Sequence, residues 1–322
     1  MGGDDNSGMS PDLVSASAFD GAVRLYEWGV IRAQGADAAS FLHGQLTQDI
    51  AHLDERQARL AGYCSAKGRL LATFVAWREQ PEQILLACSA DLLPATLKRL
   101  SMFVLRAKCK LSDASDEFAL YGLTGASASA WLGGSAPASP WAMGRAGTAR
   151  VIRLPDADAT ARWLCAVPLE MPAPRMAELD ARTWQWIEVR SGVPRLTAAT
   201  SEQFVPQMLN LELLGGVNFH KGCYPGQEVV ARSQYRGTLK RRTYLVDSTA
   251  ALRPGMEVFH SGDPSQPAGM VVLAASGRDG RHAALVELKI AATEDGELHA
   301  GAIDGTRLWL QPLPYALATE TV

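Results

Sequence analysis

The chain changes texture at Arg241, and that change limits the folds open to it. Before it, apolar runs suited to buried strands alternate with segments whose apolar residues recur every third or fourth position. After it come short alternating segments: Thr243 to Val246, Met256 to His260, Gly269 to Ala275, Ala283 to Leu288 and Thr306 to Leu310. Gly255, Gly262, Gly277, Gly280, Gly296, Gly301 and Gly305 punctuate them, the pattern of a small closed β-barrel. With 322 residues, 47% hydrophobic and 20% charged, the chain has enough apolar material for more than one core, which excludes a disordered or coiled-coil protein. The expected class is α+β.

Residues 1–20 are rich in Gly, Ser and Asp and are expected to form a flexible tail. Residues 21–115 carry a definite order. A strand around Tyr26 to Ala33 precedes a helix opening near Asp37, whose Leu42, Leu46 and Ile50 recur every fourth residue. Two strands flank the turn Ala66-Lys67-Gly68, and a third apolar run covers Ile84 to Cys88. A helix follows with Asp91 as N-cap and Pro94 in its first turn, then a short strand around Cys109. That order predicts a ferredoxin-like, or split βαβ, unit. Residues 116–240 return to it more loosely. They offer a strand at Phe118 to Leu123, an Ala/Ser-rich helix to Leu132, a loop from Gly133 to Gly147, strands at Arg150 to Leu154 and Trp163 to Val167, and helices around Met176 and Trp186. The expected whole is two ferredoxin-like units, the second free to interleave with the first, and a barrel over 241–322.

Lys plus Arg number 31 and Asp plus Glu 34, a net charge of −3, so any nucleic-acid contact must be local. The five cysteines, Cys64, Cys88, Cys109, Cys165 and Cys223, form no CxxC pair and no Cys/His cluster at zinc spacing. No metal site and no protein-held iron–sulfur cluster is expected, and a reducing compartment is. Met1 to Ser10 carries Asp4 and Asp5 and no apolar stretch, and no apolar run nears the roughly 18 residues of a spanning helix. The expected location is the cytoplasm, without membrane association.

The stretch most specific for chemistry is Lys221-Gly222-Cys223-Tyr224-Pro225-Gly226-Gln227-Glu228, running on to Arg232. Pro225 suits the first turn of a helix on which Glu228 and Arg232, four apart, can pair. Gly222 and Gly226 let the backbone pass close to a ligand. A thiol at Cys223, ahead of a helix start and beside Lys221 and His220, is expected to be partly thiolate near neutrality; the other reading is an inert cysteine buried in a tight turn. Arg232, Arg236, Lys240, Arg241 and Arg242 then put five cations in eleven residues. They read as a solvated surface, as a wall for a polycarboxylate ligand, or as a short RNA contact. Trp28 and Trp184, two of eight tryptophans, are placed to stack on a planar heterocycle or to serve as core.

The segment Lys221 to Glu228 resembles the KGCYxGQE signature of the YgfZ-type folate-binding proteins, which support tRNA modification and iron–sulfur enzyme maintenance. The resemblance extends through Phe41-Leu42-His43-Gly44-Gln45-Leu46-Thr47-Gln48-Asp49, Cys64-Ser65-Ala66-Lys67-Gly68-Arg69, Gln203-Phe204-Val205-Pro206-Gln207, Asn210-Leu211 and Leu214-Gly215-Gly216. It implies the architecture of the glycine-cleavage T-protein, an aminomethyltransferase: two ferredoxin-like units and a barrel around a central opening that holds tetrahydrofolate. Trp28 and Trp184 would contact the folate. The loop with Tyr224, Gln227 and Glu228 would border the opening, and Arg232 and Arg236 would meet the glutamate tail. Cys223 would be the reactive group, activated by Lys221, and iron–sulfur enzymes such as tRNA-modifying enzymes would be the clients. The alternative is a folate-dependent one-carbon transferase. Aminomethyl transfer itself is disfavoured, because the catalytic Asp of those enzymes falls where this sequence reads Leu70-Leu71-Ala72-Thr73. Two departures from the pattern are Ser65, where relatives often have Asp, and Arg190, where many have Glu. Arg190 is expected to weaken or reorient pterin binding, with Glu188 as substitute if the helix register allows.

Overall fold

The computed structural model describes residues 19–235 and 239–317. The chain opens with β1 (Gly21–Arg24) and β2 (Trp28–Gln34), followed by α1 (Ala38–His43), β3 (Ala58–Cys64), β4 (Leu70–Gln80), β5 (Gln83–Ser89), α2 (Leu93–Ser101) and β6 (Lys110–Asp113). Next come β7 (Phe118–Thr124), α3 (Gly125–Leu132), β8 (Met143–Ala146), β9 (Ala149–Ala157), β10 (Thr160–Pro168), α4 (Ala181–Arg190) and α5 (Gln227–Tyr235). The last are β11 (Arg241–Ser248), β12 (Glu257–His260), β13 (Gly269–Ser276), β14 (His282–Lys289), β15 (Leu298–Ala300) and β16 (Thr306–Gln311).

Two five-stranded antiparallel sheets share one plan. The first runs β6-β2-β5-β4-β3 and the second β1-β7-β10-β9-β8. In each, the strand before the unit's first helix sits between the strand before its second helix and an edge strand, the ferredoxin-like order with one strand added. The edge strand of the second sheet is β1, from the start of the chain, whose Gly21 pairs with Thr124. The two units therefore interleave. The remaining strands close as the barrel β11-β14-β13-β12-β15-β16. Every residue of β5, Gln83–Ser89, is buried, as a central strand covered on both faces requires. One continuous core, which includes Trp77, Trp184 and Ile187, takes in residues of both sheets, a second fills the barrel, and a third lies between α3 and the second sheet. Among the described residues no helix is long and apolar enough to cross a membrane.

Several local expectations are corrected. The helix near Asp37 ends at His43; Leu46 instead bridges Tyr63 of β3, and its burial comes from that turn rather than from a helix face. The N-cap of α2 is Leu92, because the Asp91 carboxylate accepts the Ala198 N–H at 2.9 Å. No helix forms at Met176, where Pro172 and Pro174 interrupt the chain. The loop from Gly133 to Gly147 contains β8. In the barrel, β15 adds a strand that the alternation did not reveal.

Candidate functional site

Helix α4 lies where the second sheet meets the barrel, packed against β13 and β14. The Asp180 carboxylate caps it by accepting the Arg182 N–H at 2.7 Å. One of its faces carries Trp184 and Glu188 into a cavity between the sheets, with Trp28 of β2, Phe74 of β4, Arg162 of β10 and Arg195 beyond the helix as further walls. An outer lobe shares Glu188 and Arg195 and reaches Glu27 and, across the opening, Pro254 and Leu273 of the barrel. The aromatic lobe encloses about 30 Å³ of free space and the outer lobe about 400 Å³.

Within this cavity Arg195 and Glu188 form an ion pair. Arg195 donates from Nε to Glu188 Oε1 at 2.8 Å, from Nη2 to Oε2 at 3.1 Å, and from Nη1 to Ser89 Oγ at 2.6 Å. Burial opposes the Arg195 charge, yet the Glu188 carboxylate raises its affinity for the proton beyond the ordinary value. Arg162 has no such close partner, and burial draws it down to about 10. Burial also raises Glu27. Two indole donors in the wall, Trp28 Nε1 and Trp184 Nε1, are buried without an acceptor. Trp184 is 1% exposed and packs onto Gly122 of β7, where a methyl group would stand 2.5 Å from Cδ2. It presents an N–H edge, and its ring belongs to the core.

Arg190 is turned away from all this. Its Nε lies 2.9 Å from Asp158 Oδ2 and its Nη1 3.7 Å from Asp247, where it ties α4 to the β9–β10 turn and to β11. Residues two apart on a helix point about 200° apart, so a register that sends Glu188 inward sends Arg190 outward.

The Cys223 loop forms a second centre. Asn218 N–H donates to Thr47 O at 2.9 Å and Thr47 Oγ1 to Gly216 O at 2.6 Å, which fastens the loop to the turn after α1. The Lys221 ammonium donates to the carbonyls of His43 and, at 2.7 Å, Leu46, and lies 4.9 Å from the centre of the Tyr224 ring. Burial draws Lys221 down to about 8, against the attraction of Asp49 and Cys223. Of the five thiols only Cys223 is exposed. Burial pushes Cys64, Cys88 and Cys165 up to about 12.

The glycines serve the fold rather than a ligand at one of the two expected places. Gly226, at φ +79°, presses against Ser65 O and Gly68, whereas Gly222 has the His43 ring beside it, 3.5 Å from a built Cβ. Pro225 precedes α5, which begins at Gln227, and Glu228 and Arg232 are exposed and form no ion pair with each other. Tyr224 is buried beside Lys221. None of Tyr224, Gln227, Glu228 and Arg232 lines either lobe of the cavity, and Arg236 lies outside the described residues. Arg241 is paired with buried Glu287 and Arg242 with Glu212, so neither belongs to an open anion-binding wall.

No family model matches the chain. The protein named tRNA-modifying protein YgfZ from Sodalis glossinidius (strain morsitans) is 32% identical over 311 residues, covering 92% of this chain and 93% of the relative. Its namesake from Edwardsiella ictaluri (strain 93-146) is 33% identical over 314 residues, covering 91% and 92%. The chain belongs to the YgfZ family. Its fold is that of the glycine cleavage system aminomethyltransferase T from Bartonella henselae, with a TM-score of 0.72 at 15% identity over 90% of this chain and 85% of that one. Arg190, where the chain departs from the family pattern, lines neither lobe of the cavity and pairs with Asp158, whereas Glu188 lines both lobes. Sequence reasoning missed Arg162 and Arg195 as cavity residues. The available signal was a pair of arginines inside apolar stretches, at Arg162-Trp163-Leu164 and Pro194-Arg195-Leu196.

Proposed function

We propose that this chain is a tetrahydrofolate-binding accessory protein that supports tRNA modification and the assembly or repair of iron–sulfur clusters, with Cys223 as its reactive group. The observation that carries the folate reading is the cavity where the three units meet. It combines two unpaired indole N–H donors with a buried carboxylate held by an arginine. A reduced pterin offers ring acceptors to the first and an amino and amide-like edge to the second, so the donor set fits the group. Trp28 is the partly exposed wall, and with about 30 Å³ free in the aromatic lobe a ring enters by displacing it. Arg195 and the outer lobe would take the anionic part of the ligand. The relatives named as tRNA-modifying proteins support the cellular role, and the exposure of Cys223 supports the thiol's.

The competing reading, one-carbon transfer to an unknown acceptor, needs an acid–base group in the cavity. Thr73 lines it at the place in question, and its Oγ1 accepts the Leu196 N–H at 3.1 Å. The nearby carboxylate of Glu188 is engaged through both oxygens by Arg195. The accessory role is therefore preferred.

The test is calorimetric titration with tetrahydrofolate of the wild type, Trp28→Ala and Glu188→Gln. Saturable binding lost in both variants supports the reading. A folded wild type that binds no folate ends it.

A further inference from the structure

The end of α1 and the turn after it place a second set of titratable groups beside the Cys223 loop. His43 Nδ1 lies 3.0 Å from Asp49 Oδ1, and the other carboxylate oxygen, Oδ2, lies 2.9 Å from His52 Nδ1. The His52 N–H also donates to Asp49 Oδ1 at 3.2 Å. The opposite edge of the His43 ring faces the loop: a methyl group built on Gly222, the residue before Cys223, would stand 3.5 Å from Nε2. The Lys221 ammonium holds the same corner together by bonding the His43 carbonyl.

The tautomer follows from the partners. The Ala51 N–H approaches His43 Nδ1 at 3.3 Å, but the carboxylate is closer and charged, and a carboxylate without a proton needs a donor. Nδ1 therefore carries the hydrogen toward Asp49, and the Nε2 lone pair points to the loop. Such a carboxylate–imidazole pair fixes the ring and stabilises the imidazolium once a proton arrives.

We infer that His43, oriented by Asp49, is the proton acceptor for the Cys223 thiol. The Sγ–H bond breaks, an Nε2–H bond forms, and the electron pair stays on sulfur; the resulting imidazolium is balanced by Asp49. This deepens the proposed role of Cys223 and rests on that thiol being the reactive group, not on folate binding. The charged and titratable groups facing the unit are Asp49 and His52 from the turn after α1, Lys221 from the Cys223 loop, and Arg59 of β3, which acts on Asp49. Burial, reinforced by Lys221, lowers His43 from its ordinary value, so the ring rests neutral at neutral pH. Burial works against the Asp49 charge, but hydrogen bonds from His52 hold its carboxyl below the ordinary range.

The experiment follows alkylation of the full chain by iodoacetamide across pH 5–9, reading Cys223 by peptide mass spectrometry. The wild-type rate is expected to rise through a midpoint set by His43. His43→Gln and Asp49→Asn are expected to move that midpoint upward, with about a tenfold loss of rate at neutral pH for each unit of displacement. His43→Ala is expected to recover rate when free imidazole is added, which a change in loop packing would not give. An unchanged pH profile in His43→Gln, or His43→Ala that imidazole does not rescue, overturns the inference. Neither readout depends on folate, so a failure here is distinct from a failure of the folate site.

Discussion

Gly226 and Gly68 meet backbone to backbone. A methyl group on Gly226 would stand 2.6 Å from the Gly68 Cα, and both residues adopt positive φ, +79° and +71°. This contact seats the Cys223 loop on the β3–β4 turn, and the Val229 side chain of α5 packs on Gly68 beside it, 2.8 Å from where a Cβ would stand. Gly226→Ala therefore combines a left-handed backbone with a collision against main chain that has nowhere to go. The expected cost is about 1–3 kcal/mol, read as a lower urea midpoint, together with faster proteolysis between Lys221 and Gln227. A variant as stable as the wild type would show that the two segments separate easily.

The Glu188–Arg195 pair makes a sharper prediction, because both partners are buried. Arg195→Met leaves the carboxylate without its donors and is expected to destabilise the protein by about 3–5 kcal/mol in urea unfolding. Glu188→Gln in the same chain removes the stranded charge and is expected to recover a large part of the loss. Additive losses in the double variant would contradict the pairing.

What the sequence disclosed follows from the range of the forces involved. The barrel strand His282–Lys289 is legible as a local apolar run, but Ala283–Leu288 are buried without alternation because α4 covers the strand's outer face, which no local period shows. The strand Leu298–Ala300 is three residues long and leaves no period to detect. The place of Gly21–Arg24 in the second sheet depends on pairing with residues a hundred positions away, which no local pattern encodes. In the candidate site, Trp28 and Cys223 were legible from their settings, whereas Glu188 and Arg195 meet because the chain turns at Gly192 and Pro194. His43 and Asp49 were visible only as members of a motif; their pairing needed α1 to stop at His43 rather than continue through Leu46 and Ile50.

Lys221 predicts a pH dependence of stability. Its ammonium is drawn down to about 8 in the folded chain from an ordinary 10.5, so between these values the unfolded chain binds more protons than the folded one. Stability contributed by this group then rises as pH increases from 8 to 10.5, and is lost on the way back down. Lys221→Met has no such group. The difference in unfolding free energy between wild type and variant is expected to move in favour of the wild type across that window, measured by urea unfolding at matched ionic strength. A constant difference would mean that Lys221 keeps its ordinary affinity for the proton.

Arg190 tests whether the departure from the family pattern touches the ligand site. The side chain spends its guanidinium on Asp158 and Asp247, both more than a third exposed, where each ion pair is worth little in water. Arg190→Ala is expected to cost about 1 kcal/mol or less and to leave tetrahydrofolate affinity unchanged in calorimetry, because the helix register keeps Glu188 in the cavity without help from Arg190. Charge reversal distinguishes the structural role further: Arg190→Glu faces two aspartates and is expected to destabilise the junction of α4 with the barrel more than alanine does, again without changing affinity per folded molecule. A loss of folate affinity in the alanine variant, at undiminished stability, would place Arg190 in the ligand site after all.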